Sequence, residues 1–223
     1  MKRLLLATLV LAASACGRPS SSSGPATSAS VTGPATTATM AKAAIGSPAP
    51  DFTLTGLDGH AVTLSSFKGK TVVLEWFNPG CPFVRKAHTG GSLKDAAARA
   101  QTQDVVWLAV NSAVPGKQGN GADANRKVAA EFGMAHPILL DDDGHVGRAY
   151  GATNTPNMYV IDPQGTLVYR GAIDNSPDGE GQSPTDGKLV NYVDEALAAV
   201  KAHQPVKVPE TKAYGCGVKY ASG

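Results

Sequence analysis

Thr71-Val72-Val73-Leu74-Glu75-Trp76-Phe77-Asn78-Pro79-Gly80-Cys81-Pro82-Phe83-Val84 is the stretch on which the reading of this chain turns. Its first seven residues are apolar on both alternating faces apart from Glu75, the pattern of a central strand buried on two sides. Asn78-Pro79-Gly80 ends the strand, and Pro82, suited to the first helical position, opens a helix directly after Cys81. A thiolate there faces unpaired backbone N–H groups and the positive end of the helix dipole, so its pKa should fall below the roughly 8.5 of a free thiol. The junction points to thiol chemistry.

On the N-terminal side, Asp51 to Leu54 and Ala61 to Leu64 flank the turn Gly56-Leu57-Asp58-Gly59 and read as a short hairpin. On the C-terminal side the helix after Cys81 is interrupted by Gly90-Gly91, and Ser92-x-x-Asp95 is expected to cap a second helical segment. A core strand from Asp104 to Asn111 follows, then a loop from Val114 to Gly121, a helix from Ala122 to Phe132 and a strand from Pro137 to Leu140. The glycines of that loop lack the Gly-Lys-Ser/Thr of a phosphate loop. Asp141-Asp142-Asp143-Gly144 lacks the ligand ladder of a calcium loop and reads as a turn with a helix N-cap. Strands Asn157 to Ile161 and Leu167 to Ile173 flank Asp162-Pro163-Gln164-Gly165 as a second hairpin, and a last helix carries Leu189, Val193, Leu197 and Val200 on one face. This order predicts an α/β domain, a central mixed sheet covered by helices on both faces.

The chain of 223 residues begins with Lys2, Arg3 and the apolar run Leu4 to Ala13, a secretory signal too short to span a membrane. Residues 1–15 are expected to be removed. Leu11-Ala12-Ala13-Ser14-Ala15-Cys16 resembles a lipoprotein box, whereas Ala13-Ser14-Ala15 is also an ordinary Ala-x-Ala cleavage site; lipidation at Cys16 is the favoured reading. Residues 16–44, rich in Ser, Thr, Ala, Pro and Gly, are read as lipid attachment and linker, and residues 45–223 as one domain with a C-terminal tail. The expected location is the bacterial cell envelope, lipid-anchored and facing the periplasm or exterior. With a net charge of +2 and scattered Lys and Arg, the sequence offers no basic stripe for nucleic acid. Of three cysteines, a lipidated Cys16 leaves the pair Cys81 and Cys216. Their spacing excludes a Cys-x-x-Cys or zinc-ribbon pattern.

Ala49-Pro50-Asp51-Phe52, the Cys81 junction, Thr155-Pro156 before a strand, and Tyr214-Gly215-Cys216-Gly217-Val218-Lys219-Tyr220 together resemble the thioredoxin-like redoxin superfamily. The similarity is greatest to its peroxiredoxin-like branch of exported proteins (alkyl hydroperoxide reductase or thiol-specific antioxidant). By that resemblance Cys81 stands at the attacking cysteine of thioredoxin's Cys-x-x-Cys and Val84 at the missing second one. Thr155-Pro156 stands at the cis-proline turn beside the thiol, where the preceding backbone can pair with a substrate strand. Glu75 stands at thioredoxin's buried carboxylate; in a core strand its pKa should be raised, fitting it for proton transfer, the other reading being a satisfied structural carboxylate on a partly open strand. Lys86 and His88 read as residues of a solvated helix face. The peroxidatic pattern Pro-x-x-x-Thr/Ser-x-x-Cys is absent.

Three functions follow as expectations. In the first, a thiol-disulfide oxidoreductase, Cys81 attacks and Cys216 resolves, with protein thiols or disulfides as substrates, an upstream thiol reductant and no cofactor. In the second, Cys81 and Cys216 form a permanent staple, worth about 5 kcal/mol by loop closure. In the third, the same thiolate reduces peroxide. A copper site would need a second cysteine near Cys81. The mature chain is expected to start at a lipid-modified Cys16. Its intact mass should carry the added lipid, and unmodified Cys16 in the soluble envelope fraction would overturn this.

Overall fold

The computed structural model describes residues 40–221. Cys16 and the signal segment lie outside them. Strand β1 (Thr53–Gly56) and β2 (Ala61–Thr63) form the expected hairpin, followed by a 3₁₀ turn at Leu64–Phe67. Then come β3 (Thr71–Trp76), α1 (Pro82–Thr89), α2 (Ala96–Gln101), β4 (Val105–Asn111), α3 (Ala122–Phe132) and β5 (Ile138–Leu140). The chain continues through α4 (His145–Tyr150), β6 (Asn154–Thr155), β7 (Asn157–Ile161), β8 (Leu167–Gly171), α5 (Tyr192–Lys201) and β9 (Cys216–Gly217).

Among the described residues, seven strands form one mixed sheet in the order β2-β1-β5-β4-β3-β7-β8. β3 runs parallel to β4 and β4 to β5, while β7 lies antiparallel to β3 and β8. β3 is central because its side chains alternate between two cores. Val72, Leu74 and Trp76 pack with Leu108, Val110, Tyr150 and Tyr159; Val73 packs on the opposite face with Trp107, Met158, Val160 and Ala196. Helix α4 supplies Val146 and Tyr150 to the first core, and α2 and α5 supply Ala96, Ala100 and Val193 to the second. The sheet is thus covered on both faces, as the sequence predicted.

Four local expectations change. Asp95 does precede α2 as its N-cap, but in a left-handed conformation with no side-chain cap, and Ser92 Oγ donates instead to Asp174. The capping-box spacing is present, yet a tertiary acceptor takes the serine. Leu189 is 42% exposed and lies before α5, which begins only after Asn191 caps it by accepting from Asp194 N–H at 3.0 Å. The last long strand stops at Gly171 rather than Ile173. Packing also starts before Ile45: Ala43 is buried in the first core, and its N–H donates to the Ala149 carbonyl at 2.9 Å.

Because Leu74 is fully buried in an interior strand of the sheet, Leu74→Ala should destabilise the domain by about 2–5 kcal/mol, from lost transfer energy plus a residual cavity. Urea unfolding with an unchanged m-value measures it, and a loss below about 1 kcal/mol would contradict this placement.

Candidate active site

The Cys81 turn is built locally and then buttressed. Asn78 Oδ1 accepts from Gly80 N–H at 2.8 Å, and Cys81 N–H donates to the Asn78 carbonyl at 3.0 Å. These bonds fold the chain back so that Cys81 becomes the N-cap of α1, with Pro82 at the start of the helix. The loop from Val114 to Gly121 packs on this turn. Gln118 Nε2 donates to the Gly80 carbonyl and Asn78 Nδ2 to the Gln118 carbonyl, both at 3.0 Å. Gly119, at φ +85°, sits against the Asn78 amide, where a Cβ would collide.

β7 pairs with β3 so that Asn157 lies opposite Trp76, which carries the preceding Thr155 to the Cys81 turn. The Thr155–Pro156 peptide is cis. The Cys81 thiol donates to the Thr155 carbonyl at 3.0 Å and is only 1% exposed. On its other edge β6 pairs antiparallel with β9, setting Thr155 opposite Cys216 and Asn154 opposite Gly217. Cys216 packs, half-buried, against the cluster of Phe77, Cys81 and Val84. The structure therefore brings Cys81, Thr155, Pro156 and Cys216 together, with both cysteines as free thiols. Sequence reasoning anticipated the return of Cys216 but not that it arrives on a strand. The available signal was Gly215, at φ +108°, where any Cβ would meet the Thr155 carbonyl.

The two thiols are unequal. Burial raises the pKa of Cys81, but hydrogen bonds outweigh it and hold it below the ordinary thiol value; they come from the Cys216 thiol, the Thr155 side chain and the Val84 and Cys216 N–H groups. Burial also raises Cys216; donating to Cys81 and facing its charge push it further, to about 11, against weak opposition from Lys219. As a coupled pair they release their first proton from Cys81. Among the described residues no three His, Cys, Asp or Glu side chains are grouped to hold a metal ion.

Glu75 departs from expectation. Burial does raise its pKa, but attraction to His88, a hydrogen bond with it, attraction to His136 and a bond from Trp107 overcome that, and the net direction is downward. His88 is not on a solvated face: it is buried, with Nε2 2.7 Å from Glu75 Oε1 and its ring stacked on Phe132. Val84, Ala87 and His88 form the inward side of α1, a three-and-four spacing legible in the sequence. Lys86 does face outward, paired with Glu180 at 3.3 Å. The Glu75 carboxylate bonds to His88 and to Trp107 Nε1, at 3.1 Å, and neither oxygen bonds to Cys81.

A carboxyl whose folded pKa is depressed contributes stability above its unfolded value, near 4.5, and loses that contribution as pH falls through the folded value. Glu75→Gln should therefore cost on the order of 3 kcal/mol at pH 7. Its deficit against the native chain should shrink below the unfolded pKa. A deficit that stays constant from neutral pH into the acid range would refute the charged pairing.

The Redoxin family model matches residues 44–189. A thiol-disulfide oxidoreductase ResA of Geobacillus kaustophilus is 35% identical over 125 residues, 56% of this chain and 67% of that protein. The chloroplastic peroxiredoxin Q of Triticum aestivum is 30% identical over 135 residues, 57% of this chain and 58% of that protein. The curated relatives are thus matched over about two thirds of their length or less. Among solved structures, a hypothetical protein of Sinorhizobium meliloti 1021 superposes with a TM-score of 0.70 at 26% identity, covering 82% of this chain and 98% of its own. An uncharacterized conserved protein of Geobacillus kaustophilus gives 0.70 at 29% identity, covering 82% and 96%. The C-terminal tail carrying Cys216 lies beyond the family match, and the residues that match it hold the sheet, the Cys81 turn and the Thr155–Pro156 peptide: the chain belongs to the Redoxin family and has the thioredoxin-like fold.

Proposed function

We propose that Cys81 is the attacking nucleophile and Cys216 the distant resolving cysteine of this thiol-dependent oxidoreductase, acting on protein disulfides. The observation that carries the reading is the shared position at Thr155, where a low-pKa thiol at a helix N-terminus meets a high-pKa thiol presented on a paired strand. The Cys81 thiolate attacks a disulfide R–S–S–R′, forming Cys81–S–S–R and releasing R′–S⁻. Cys216 then loses its proton and attacks the Cys81 sulfur; R–S⁻ leaves, and the internal disulfide holds the oxidation equivalent. An upstream dithiol returns both cysteines to thiols. The Thr155–Pro156 backbone is the edge to which an extended substrate would pair. Glu75, tied to His88 and away from the thiols, braces α1 in this scheme and is assigned no proton transfer. The signal-like segment before Cys16 supports an envelope location with a lipid anchor.

Cys81→Ser should abolish exchange with a model disulfide. Cys216→Ser should still attack but accumulate a mixed disulfide, visible by mass spectrometry under non-reducing conditions. A purely structural staple would make both variants lose stability alike and trap nothing. Faster turnover of hydrogen peroxide than of disulfide would instead favour the peroxide-reducing reading suggested by the peroxiredoxin Q similarity.

A further inference from the structure

We propose that residues 209–220 form a strap that gates Cys81, and that Asp174 is the positioning residue that latches it through Tyr214. The inference rests on the roles just assigned to Cys81 and Cys216, and adds a device that controls when each acts. The Cys81 thiol is 1% exposed, with the strap paired along the Thr155 edge that an extended substrate would also need. A substrate sulfur can reach Cys81 only after the strap moves, whereas Cys216 can reach it only when the strap is seated.

The strap is fastened at discrete points. Arg170 N–H donates to the Pro209 carbonyl at 3.0 Å, and Ala172 N–H to Thr211 Oγ1 at 2.9 Å. Tyr214 Oη donates to Asp174 Oδ1 at 2.8 Å, and its ring lies 6.4 Å from that of Phe83, the second residue of α1. Asn154 Nδ2 donates to the Gly215 carbonyl and Val218 N–H to the Thr153 carbonyl, both at 3.0 Å. Beyond Cys216, Val114 N–H donates to the Lys219 carbonyl at 3.0 Å, and Tyr220 Oη to the Ala152 carbonyl at 2.9 Å under the Arg148 guanidinium. No residue from 209 to 220 is fully buried. A segment held at its rim mainly by hydrogen bonds, with Cys216 and Val218 as its contacts to the buried clusters, opens locally at less cost than global unfolding.

Asp174 is suited to be the latch because its carboxylate and backbone are both held by other segments. Its carboxylate accepts from Ser176 N–H at 2.9 Å and from Ser92 Oγ, and its backbone bridges to Asn191. The Tyr214 hydroxyl thus meets a fixed acceptor two residues before Cys216, which sets where the resolving sulfur lies. Weakening the latch should move the two chemical steps in opposite directions. Capture needs the open strap, so its rate rises with the open fraction. In the mixed disulfide the bound group competes for the strap's place, so the seated fraction is small and the rate of resolution falls with it.

The test uses the reduced full chain in a Cys16→Ser background, taken as native below because it leaves Cys81 and Cys216 as the chain's two thiols, with the small disulfide 5,5′-dithiobis(2-nitrobenzoate) and release of the coloured thiolate followed by stopped flow. The native protein should release one thiolate on capture at Cys81 and a second on resolution by Cys216. In Tyr214→Phe, which keeps the ring, the first phase should quicken and the second slow, each by about tenfold, the effect of losing one hydrogen bond to a carboxylate. Asp174→Asn should act in the same sense, and the double variant should add little to either change. Should Asp174→Asn fail to fold, because Ser92 and Ser176 also depend on it, Tyr214→Phe decides alone. Two phases that remain unchanged, or that shift together in one direction, would overturn the gate. A native protein that releases only one thiolate, or a Cys81→Ser variant that still shows the first phase, would overturn the roles of the cysteines instead.

Discussion

Thr155 is where the architecture converges. Its carbonyl accepts the Cys81 thiol on one side, and its backbone pairs with Cys216 on the other. This requires that β7 lie antiparallel against β3, so that the residue just before β7 reaches the turn just after β3. Because β3 is buried on both faces, its register cannot slip by one residue without exchanging the contents of two cores. The position of a backbone carbonyl at the thiol is therefore fixed by apolar packing several residues away. Two cysteines far apart in the chain meet because one rigid strand end serves both.

The asymmetry between those cysteines follows from what surrounds each sulfur. Both lose hydration, which disfavours the thiolate. Cys81 recovers that loss from donors converging on it, including the Cys216 thiol and the Val84 N–H at the start of α1. Cys216 sits on a short edge strand that supplies fewer donors and faces the charge that Cys81 has already taken. Two thiols of unequal acidity are thereby distinguished without a second cysteine in the helix.

Beneath α1 the logic is different. Glu75 occupies a strand position that should bury an apolar side chain, and it is tolerated because His88 and Trp107 satisfy both carboxylate oxygens. Helix α1 thus ends in a polar contact with the sheet while its N-terminus carries the thiol. A buried pair of this kind adds little net stability compared with apolar packing, yet it makes the docking of the helix specific.

Much of the architecture was legible in local pattern. The two-sided apolar run of β3, the Pro82 start after Cys81, the span Ala122–Phe132 of α3 and the two hairpins depend on periodicity and turn chemistry carried by neighbouring residues. So does the placing of Cys81 at a helix start. What the sequence could not decide were the partners of polar side chains, since these come from distant segments. Ser92 left its helix for Asp174, His88 turned inward to Glu75, and that contact reversed the direction in which burial alone would have moved the Glu75 pKa. The seating of the tail belongs to the same class. Cys216 was expected to return to Cys81, but only the folded sheet supplies the Thr155 edge to which it binds, because a strand's free hydrogen-bonding edge exists only once its neighbours are in place.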